Sequence, residues 1–360
     1  MFKLFNWFFV FFVSVHCFLQ ANDLRVLPII NFTQYAKPSK RVFVATMMPL
    51  LQKNGIIFVE ESPDLVLICG TARVGLCKKF SNKPIVILDS AEAASMQPHV
   101  RHCLKEPNVR AVFKNTVLRP GRNYNKPTVY CSYHFKLIND GCKKLVESQP
   151  SPLADQELQK VHCVLWDFFR SFLNADLETI KSEKIDFNAE RPIDVFFAGS
   201  VISHSPRGMH RREAFKSLRA IKDNNLNIII HEGRLPKDEF LALLKKSKIA
   251  VSPWGYGEWC WRDYEAIHSG AVLIKPDTSF VRAVPDLYQN DVYYVSCKAD
   301  FSDLHEKITY VLNNYSRFIK MRKNAKRLLV SNWNYEKHAK NLADALRKIV
   351  TETHKVTHKN

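Results

Sequence analysis

Four arginines and one glutamate are spaced so that they could hold an anionic, hydroxyl-bearing ligand. Arg207, Arg211 and Arg212 lie just after an apolar run that ends at Gly199, and Ser200, Ser203 and Ser205 fall in the loop between. A diphosphate asks for such convergence: backbone N–H groups at a helix N-terminus, joined by one or two guanidinium groups. Further along, Arg262 and Glu265 open a second short helical stretch. There the guanidinium would neutralise phosphate charge, and the carboxylate would accept hydrogen bonds from ribose or sugar hydroxyls. Trp254, Tyr256, Trp259 and Trp261 crowd the same loop, and aromatic faces stack on bases and sugar rings. Plainer readings stand beside these: a basic surface helix, an exposed salt-bridged helix start, and core packing for one or two of the aromatics.

The elements that must position these residues can be read around them. Residues 193–199 form a strand ending in glycine, 209–221 a helix and 226–231 the next strand. Residues 236–239 start a helix with Phe240, Leu243 and Leu244 on its apolar stripe. Ile249 to Ser252 is a strand closed by Pro253, 262–267 a helix stopped at Gly270, and 271–274 a further strand. This is a βαβ pattern, in which ligands sit beyond the carboxyl ends of the strands. A strand near 292–295 and two helices follow, the last over 335–350 with Ala339, Leu342, Ala343, Leu346 and Ile349 on one side. No Walker or dinucleotide glycine fingerprint occurs.

The first half carries short Val- and Ile-rich runs at 41–45, 56–60, 64–69, 84–89, 109–113 and 128–132, with a short helical stretch up to Asn54-Gly55. Their pattern predicts a parallel sheet covered on both faces. Val161, Leu165, Phe168, Phe169 and Phe172 recur at helical spacing and predict a long helix over 153–173, after the breaker cluster 149–152. The expected organisation is a targeting segment 1–21, an α/β domain 22–175, a linker 176–192, a second α/β domain 193–350 and a basic tail 351–360.

A chain of 360 residues can bury two ordinary cores. With 46% hydrophobic and 24% charged residues, wholesale disorder is excluded. The formal charge is +18, and residues 317–360 hold twelve Lys/Arg against three Asp/Glu, a balance that favours anionic partners. Lys3 precedes an apolar run from Leu4 to Leu19 broken by Asn6, Ser14 and His16. That is short for a membrane span of about 20 residues and suits a signal peptide or signal anchor. The expectation is the secretory pathway (endoplasmic reticulum or Golgi), membrane association, or export in a bacterium. Nine cysteines include Cys17 in that run; the other eight lack CxxC spacing, which argues against a zinc site. Eight permit disulfides in an oxidising compartment, with buried free thiols as the alternative. Asn31-Phe32-Thr33 and Asn314-Tyr315-Ser316 are glycosylation sequons.

Taken in order, the strand ending Phe197-Ala198-Gly199, the basic loop, the Pro236-Lys237-Asp238-Glu239-Phe240 helix, Ala250-Val251-Ser252-Pro253, Arg262-Asp263-Tyr264-Glu265-Ala266-Ile267 and Gly270-Ala271-Val272-Leu273-Ile274 form a pattern. It resembles the nucleotide-sugar domain of GT-B glycosyltransferases, above all the exostosin-like branch; the group 1 retaining branch is similar too. The resemblance covers about residues 193–350, and the first half matches in character. One departure stands out: Glu258 and Glu265 have six residues between them where the group 1 pattern has seven.

The resemblance implies two Rossmann-like domains facing a cleft, with C-terminal helices crossing back onto the first. It implies sugar transfer from a nucleotide-sugar donor to a glycan, lipid or protein acceptor, with no nucleic acid partner. The chain has no Asp-x-Asp motif, in keeping with the metal- and cofactor-independent habit of that fold. The donor-binding set would be Ser200, Arg207, Arg211, Arg212, Trp254, Tyr256, Arg262 and Glu265. Arg207, Arg211 and Arg262 would stabilise the leaving diphosphate, and Glu265 would orient donor hydroxyls. A general base is also needed if the reaction inverts. Asp89, at a strand's carboxyl end, is preferred over Glu92, His99 and His134. Two alternatives remain: a non-enzymatic basic α/β protein binding nucleic acid or an anionic surface through 317–360, and a glycosyltransferase-like protein that binds without catalysis. No RRM or KH signature supports the nucleic-acid version.

Overall fold

The computed structural model describes residues 23–31, 43–70, 72–89, 91, 94, 96, 98–119, 153–165, 182–201, 206–255 and 257–357. Two parallel sheets organise them. The first is built from β1 (Leu24–Asn31), β2 (Ile56–Phe58), β3 (Leu65–Gly70), β4 (Ile85–Asp89), β5 (Val109–Lys114) and β7 (Val161–Cys163), in the order β2-β1-β3-β4-β5-β7. The second holds β8 (Ile193–Gly199), β9 (Ile228–Glu232), β10 (Ser247–Val251), β11 (Val272–Pro276) and β13 (Val295–Cys297), in the order β13-β11-β10-β8-β9. Counted within its own half, the second sheet runs 2-1-3-4-5 and the first runs 2-1-3-4-5 with β7 added at its edge, the doubly wound order of Rossmann-like folds. Its switch point lies between the first and third strands.

These strands form because their side chains are apolar on both faces, as a sheet covered on both sides demands. Val195 and Phe197 pack with Ala214, Phe215 and Leu218 of the helix behind, while Phe196 and Ala198 pack with Leu244 and Ile267 in front. In the first sheet Leu65, Leu67 and Cys69 face one core, and Val66 and Ile68 the other.

The helices of the first half are α1 (Met48–Lys53, entered through a π-turn Phe43–Met47), α2 (Val74–Lys79), α3 (Pro98–Leu104) and α4 (Asp155–Leu158). The second half adds α5 (Pro206–Arg219), α6 (Lys237–Lys245), α7 (Trp261–His268), α8 (Leu304–Asn313) and α9 (Ile319–Ser331). The last helix, α10 (Tyr335–Thr357), leaves the second half and crosses back. Its Ala339, Leu342, Ala343, Leu346 and Val350 are buried with Leu24, Leu51 and Leu67 of the first. The halves also meet in an antiparallel ribbon of β6 (Thr116–Leu118) and β12 (Val281–Ala283), beside an Arg119–Asp286 ion pair at 2.7 Å. The expected fold, two Rossmann-like domains with a returning C-terminal helix, is the fold observed.

Several local expectations differ. The strand expected at 41–45 is, from Phe43 on, a π-turn leading into α1, with Phe43 and Met47 buried. β1 was not anticipated; it contains Pro28, which removes a ladder donor. β2 pairs with Leu24–Val26, so at Pro28 the strand has β3 as its neighbour. Of the helix expected over 153–173, the described residues 153–165 form only Asp155–Leu158, and Val161–Cys163 instead pairs with Val112–Lys114 at the sheet edge. Long-range pairing overrides a local helical period there; residues 166–173 and the strand expected at 128–132 lie outside the described residues. Three helices close the chain rather than two, and α10 continues through most of the segment expected as a tail. Cys69, Cys77, Cys103, Cys163, Cys260 and Cys297 are free thiols, while Cys17, Cys131 and Cys142 fall outside the described residues. The targeting segment 1–21 is likewise outside them. Among the described residues no helix is long and apolar enough to cross a membrane.

Candidate functional site

The switch point of the second sheet lies between β8 and β10, where two helices begin. α5 starts with Pro206, whose fixed φ suits a first helical position. α7 starts with a reciprocal cap: the Asp263 carboxylate accepts the Cys260 N–H at 3.2 Å.

Three guanidinium groups converge on the last residues of β8 and the chain just after it. Arg262 donates from Nη2 to the Ala198 carbonyl at 2.5 Å, Arg211 from Nη1 to the Ser200 carbonyl at 3.4 Å, and Arg212 from Nη1 to the Val201 carbonyl at 2.9 Å. Arg262 also lies over the Phe197 ring, 5.1 Å from its centroid. Its Nε and Nη1 are buried and have no acceptor among the described residues. An unsatisfied buried N–H is costly, more so on a cation. Gly199 makes the approach feasible, since a Cβ there would stand 3.1 Å from Arg262 Nη2 and 3.7 Å from Arg211 Cδ.

Asp263 holds the loop that carries Arg262. It is fully buried. Its Oδ1 accepts the Ser252 hydroxyl at 2.6 Å, and its Oδ2 accepts Lys275 Nζ at 2.9 Å and the Tyr288 hydroxyl at 2.7 Å. Lys275, also fully buried, donates in addition to the Glu258 carbonyl at 2.7 Å. The Tyr288 phenol is pushed well above its ordinary value, chiefly by burial, and so stays a donor. One carboxylate thereby ties β10, the aromatic loop, α7, β11 and the segment at Tyr288 together.

His210 of α5 supports the loop from the other side. Its Nδ1 accepts the Trp254 N–H at 3.1 Å and its Nε2 faces the Ala299 carbonyl at 2.9 Å, an arrangement that fits the neutral ring protonated on Nε2. The ring stacks on the Trp254 indole, with centroids 4.9 Å apart. Burial pushes the imidazole pKa down to about 4.

At its far end α7 is held by three more cations. Lys326 Nζ donates to the His268 carbonyl at 3.2 Å, Arg191 Nη2 to the Ser269 carbonyl at 2.9 Å and Arg322 Nε to the Gly270 carbonyl at 2.6 Å. They satisfy the carbonyls that a helix end leaves bare and complement its dipole. Burial lowers Arg322 to about 10 and Lys326 to about 8.

The other expected site residues are distributed as follows. Glu265, on α7, is buried and ion-paired with Lys237 in the first turn of α6. Glu258 turns elsewhere: its Oε2 accepts the Ala94 N–H of the first half at 2.8 Å. Trp254 is buried, its indole N–H donating to Thr278 Oγ1 at 3.1 Å, so it underpins the loop. Trp259 is buried as well, whereas Trp261 is 36% exposed. Tyr256, Ser203, Ser205 and the Arg207 side chain lie outside the described residues. Asp89 sits at the end of β4, buried, with Oδ2 on Lys114 Nζ at 2.6 Å and Oδ1 accepting the Ala91 N–H at 3.0 Å. Burial holds the His99 ring below its ordinary value, against the pull of the Asp89 charge. Glu92 and His134 are not among the described residues.

The structure therefore brings Ser200, Arg211, Arg212 and Arg262 together and places Asp89 in a pair of its own in the first half. His210, Asp263 and Lys275 were missed as site residues. Lys275 left a legible signal, a charge inside the apolar strand Val272–Pro276. Among the described residues no group of three or more His, Cys, Asp or Glu is placed to hold a metal ion.

No protein-family model and no curated protein matches the chain. Among solved structures it is similar to an alpha-glucosyltransferase in complex with UDP-glucose and DNA containing an abasic site, at 9% identity and TM-score 0.46, over 91% of this chain and 100% of that one. It is similar to TarM of S. aureus at 11% identity and TM-score 0.45, over 78% of this chain and 55% of that one. A putative UDP-N-acetylglucosamine 2-epimerase from Listeria monocytogenes aligns at 11% identity and TM-score 0.45, over 92% of this chain and 97% of that one. Likenesses this distant carry neither residues nor chemistry across, and the fold stands on the chain's own strand order.

Proposed function

We propose that the protein is a glycosyltransferase of the GT-B type, exostosin-like in pattern. It would move a sugar from a nucleotide-sugar donor at the carboxyl edge of the second sheet to a glycan, lipid or protein acceptor between the two halves. The observation that carries this reading is Arg262, a cation at the switch point with two buried N–H groups unmatched among the described residues. As the bond from the sugar to the diphosphate breaks, negative charge grows on the departing phosphate oxygen. Arg262, with Arg211, Arg212 and the N–H groups opening α5, would stabilise that charge in place. Glu265, held by Lys237, would accept hydrogen bonds from donor hydroxyls. On the acceptor side Asp89 would have to release Lys114 before taking a proton, whereas burial holds the His99 ring below its ordinary value, which favours the unprotonated form a base needs. No metal or other cofactor enters the reaction so proposed.

A thermal-shift panel of UDP- and GDP-sugars tests the reading. One nucleotide should raise the melting temperature; a ligand at about a hundred times its Kd stabilises by about 2.7 kcal/mol. Arg262→Ala should abolish that response. If no nucleotide stabilises the protein, the proposal fails. A second reading, binding without turnover, is favoured by one observation: Asp89 and Glu265 are both ion-paired with lysines. Donor consumption measured with and without acceptors separates the two.

A further inference from the structure

Residues Tyr315–Phe318 and α9 carry six basic residues and no acidic one. Arg322 and Lys326 turn inward onto the end of α7. The other four, Arg317, Lys320, Lys323 and Arg327, are exposed. Their spacing sets them in one stripe along about 15 Å of helix, at a rise of about 1.5 Å per residue. None has a carboxylate partner among the described residues. Asp186 and Glu190 are exposed on the segment whose Phe187 ring lies under Lys323, yet neither is paired with the stripe. Other surface helices of this chain do pair their cations: Lys216 with Glu213, Lys340 with Asp344 and Lys348 with Glu352. At the head of the stripe Tyr310 stands 54% exposed, its ring edge-on to Phe318 at 5.8 Å.

We propose that this face of α9 docks on the anionic headgroups of a lipid bilayer. Unpaired cations in a straight row attract a plane of phosphates, and an exposed tyrosine beside them suits the headgroup level, where amphipathic rings settle. A nucleic acid fits less well, because the stripe carries one phenol and no set of aromatics on which bases would stack. The proposal does not depend on the donor-site reading. The inward side of α9 grips the last turn of α7, while Arg262 is in its first, so the stripe can be removed without touching the nucleotide.

The test is co-sedimentation of the full chain with vesicles of phosphatidylcholine alone or mixed with phosphatidylglycerol, at low and physiological salt. The wild type should sediment with the anionic vesicles and less so as salt rises. The quadruple variant Arg317→Gln, Lys320→Gln, Lys323→Gln, Arg327→Gln should lose about five-fold in partitioning for each charge removed, with its melting temperature unchanged. Equal binding to both vesicle types overturns the proposal. So does binding that the quadruple variant leaves intact, which would point to the N-terminal apolar run or another surface. A preference for duplex RNA that depends on the same four residues overturns it too.

Discussion

Arg262 owes its position to a neighbour without a side chain, because the nearest of its nitrogens would stand 3.1 Å from a Cβ at residue 199. The arginine is therefore held by contact with bare backbone, while its buried Nε and Nη1 find no acceptor among the described residues. His210 illustrates the opposite use of burial. Its folded pKa of about 4 lies below the ordinary value of 6.5, so between these values the unfolded chain binds more protons than the folded one. Stability then rises with pH across the window: it is fully present above about pH 6.5 and is lost as pH falls toward 4. Integrated over the shift this amounts to about 3 kcal/mol. Urea unfolding of the wild type across that range should show the decline, and His210→Gln should flatten it. His99, His162, His268 and His338 are also lowered by burial, so the difference between variant and wild type, and not the slope alone, isolates His210.

The helix carrying Arg262 is fixed at both ends, by Asp263 at its start and by three cations on its last carbonyls. Gly270 ends it in the left-handed region, at φ +73°, and a Cβ there would stand 2.9 Å from Arg191 Nη2. Gly270→Ala should therefore cost at least about 1–2 kcal/mol, the usual penalty of that conformation for a residue with a Cβ, read as a lowered urea midpoint. Weaker nucleotide binding should accompany it, because the clamp that aims Arg262 is loosened. This helix was legible in the sequence, as were β3, β4, β5, β8, β10 and β11, because short runs of Val, Ile and Leu between turn residues leave few alternatives. β7 was not: Val161 and Leu165 fit a helical period, and what decides the matter is pairing with Val112–Lys114, far away in the chain. The same holds for the site. The arginines sit at strand–helix junctions that the pattern exposes, whereas the union of Asp263, Lys275 and Tyr288 exists in space alone, and no spacing announces it.

At the scale of the molecule, the two halves share a core through α10. Leu346 is fully buried in the first half's cluster although its chain has just left the second. Leu346→Ala should lower the unfolding free energy by about 2–5 kcal/mol. If a single denaturation transition persists for both halves in the wild type, this variant should shift it as a whole. The return of α10 also has a mechanical consequence. Trp333 still packs in the second half's core and Ala339 already in the first's, so the chain crosses between the halves over residues 334–338. A rod rooted in one body and packed into another carries load between them, and α10 does so beside the β6–β12 ribbon and the Glu258–Ala94 bond.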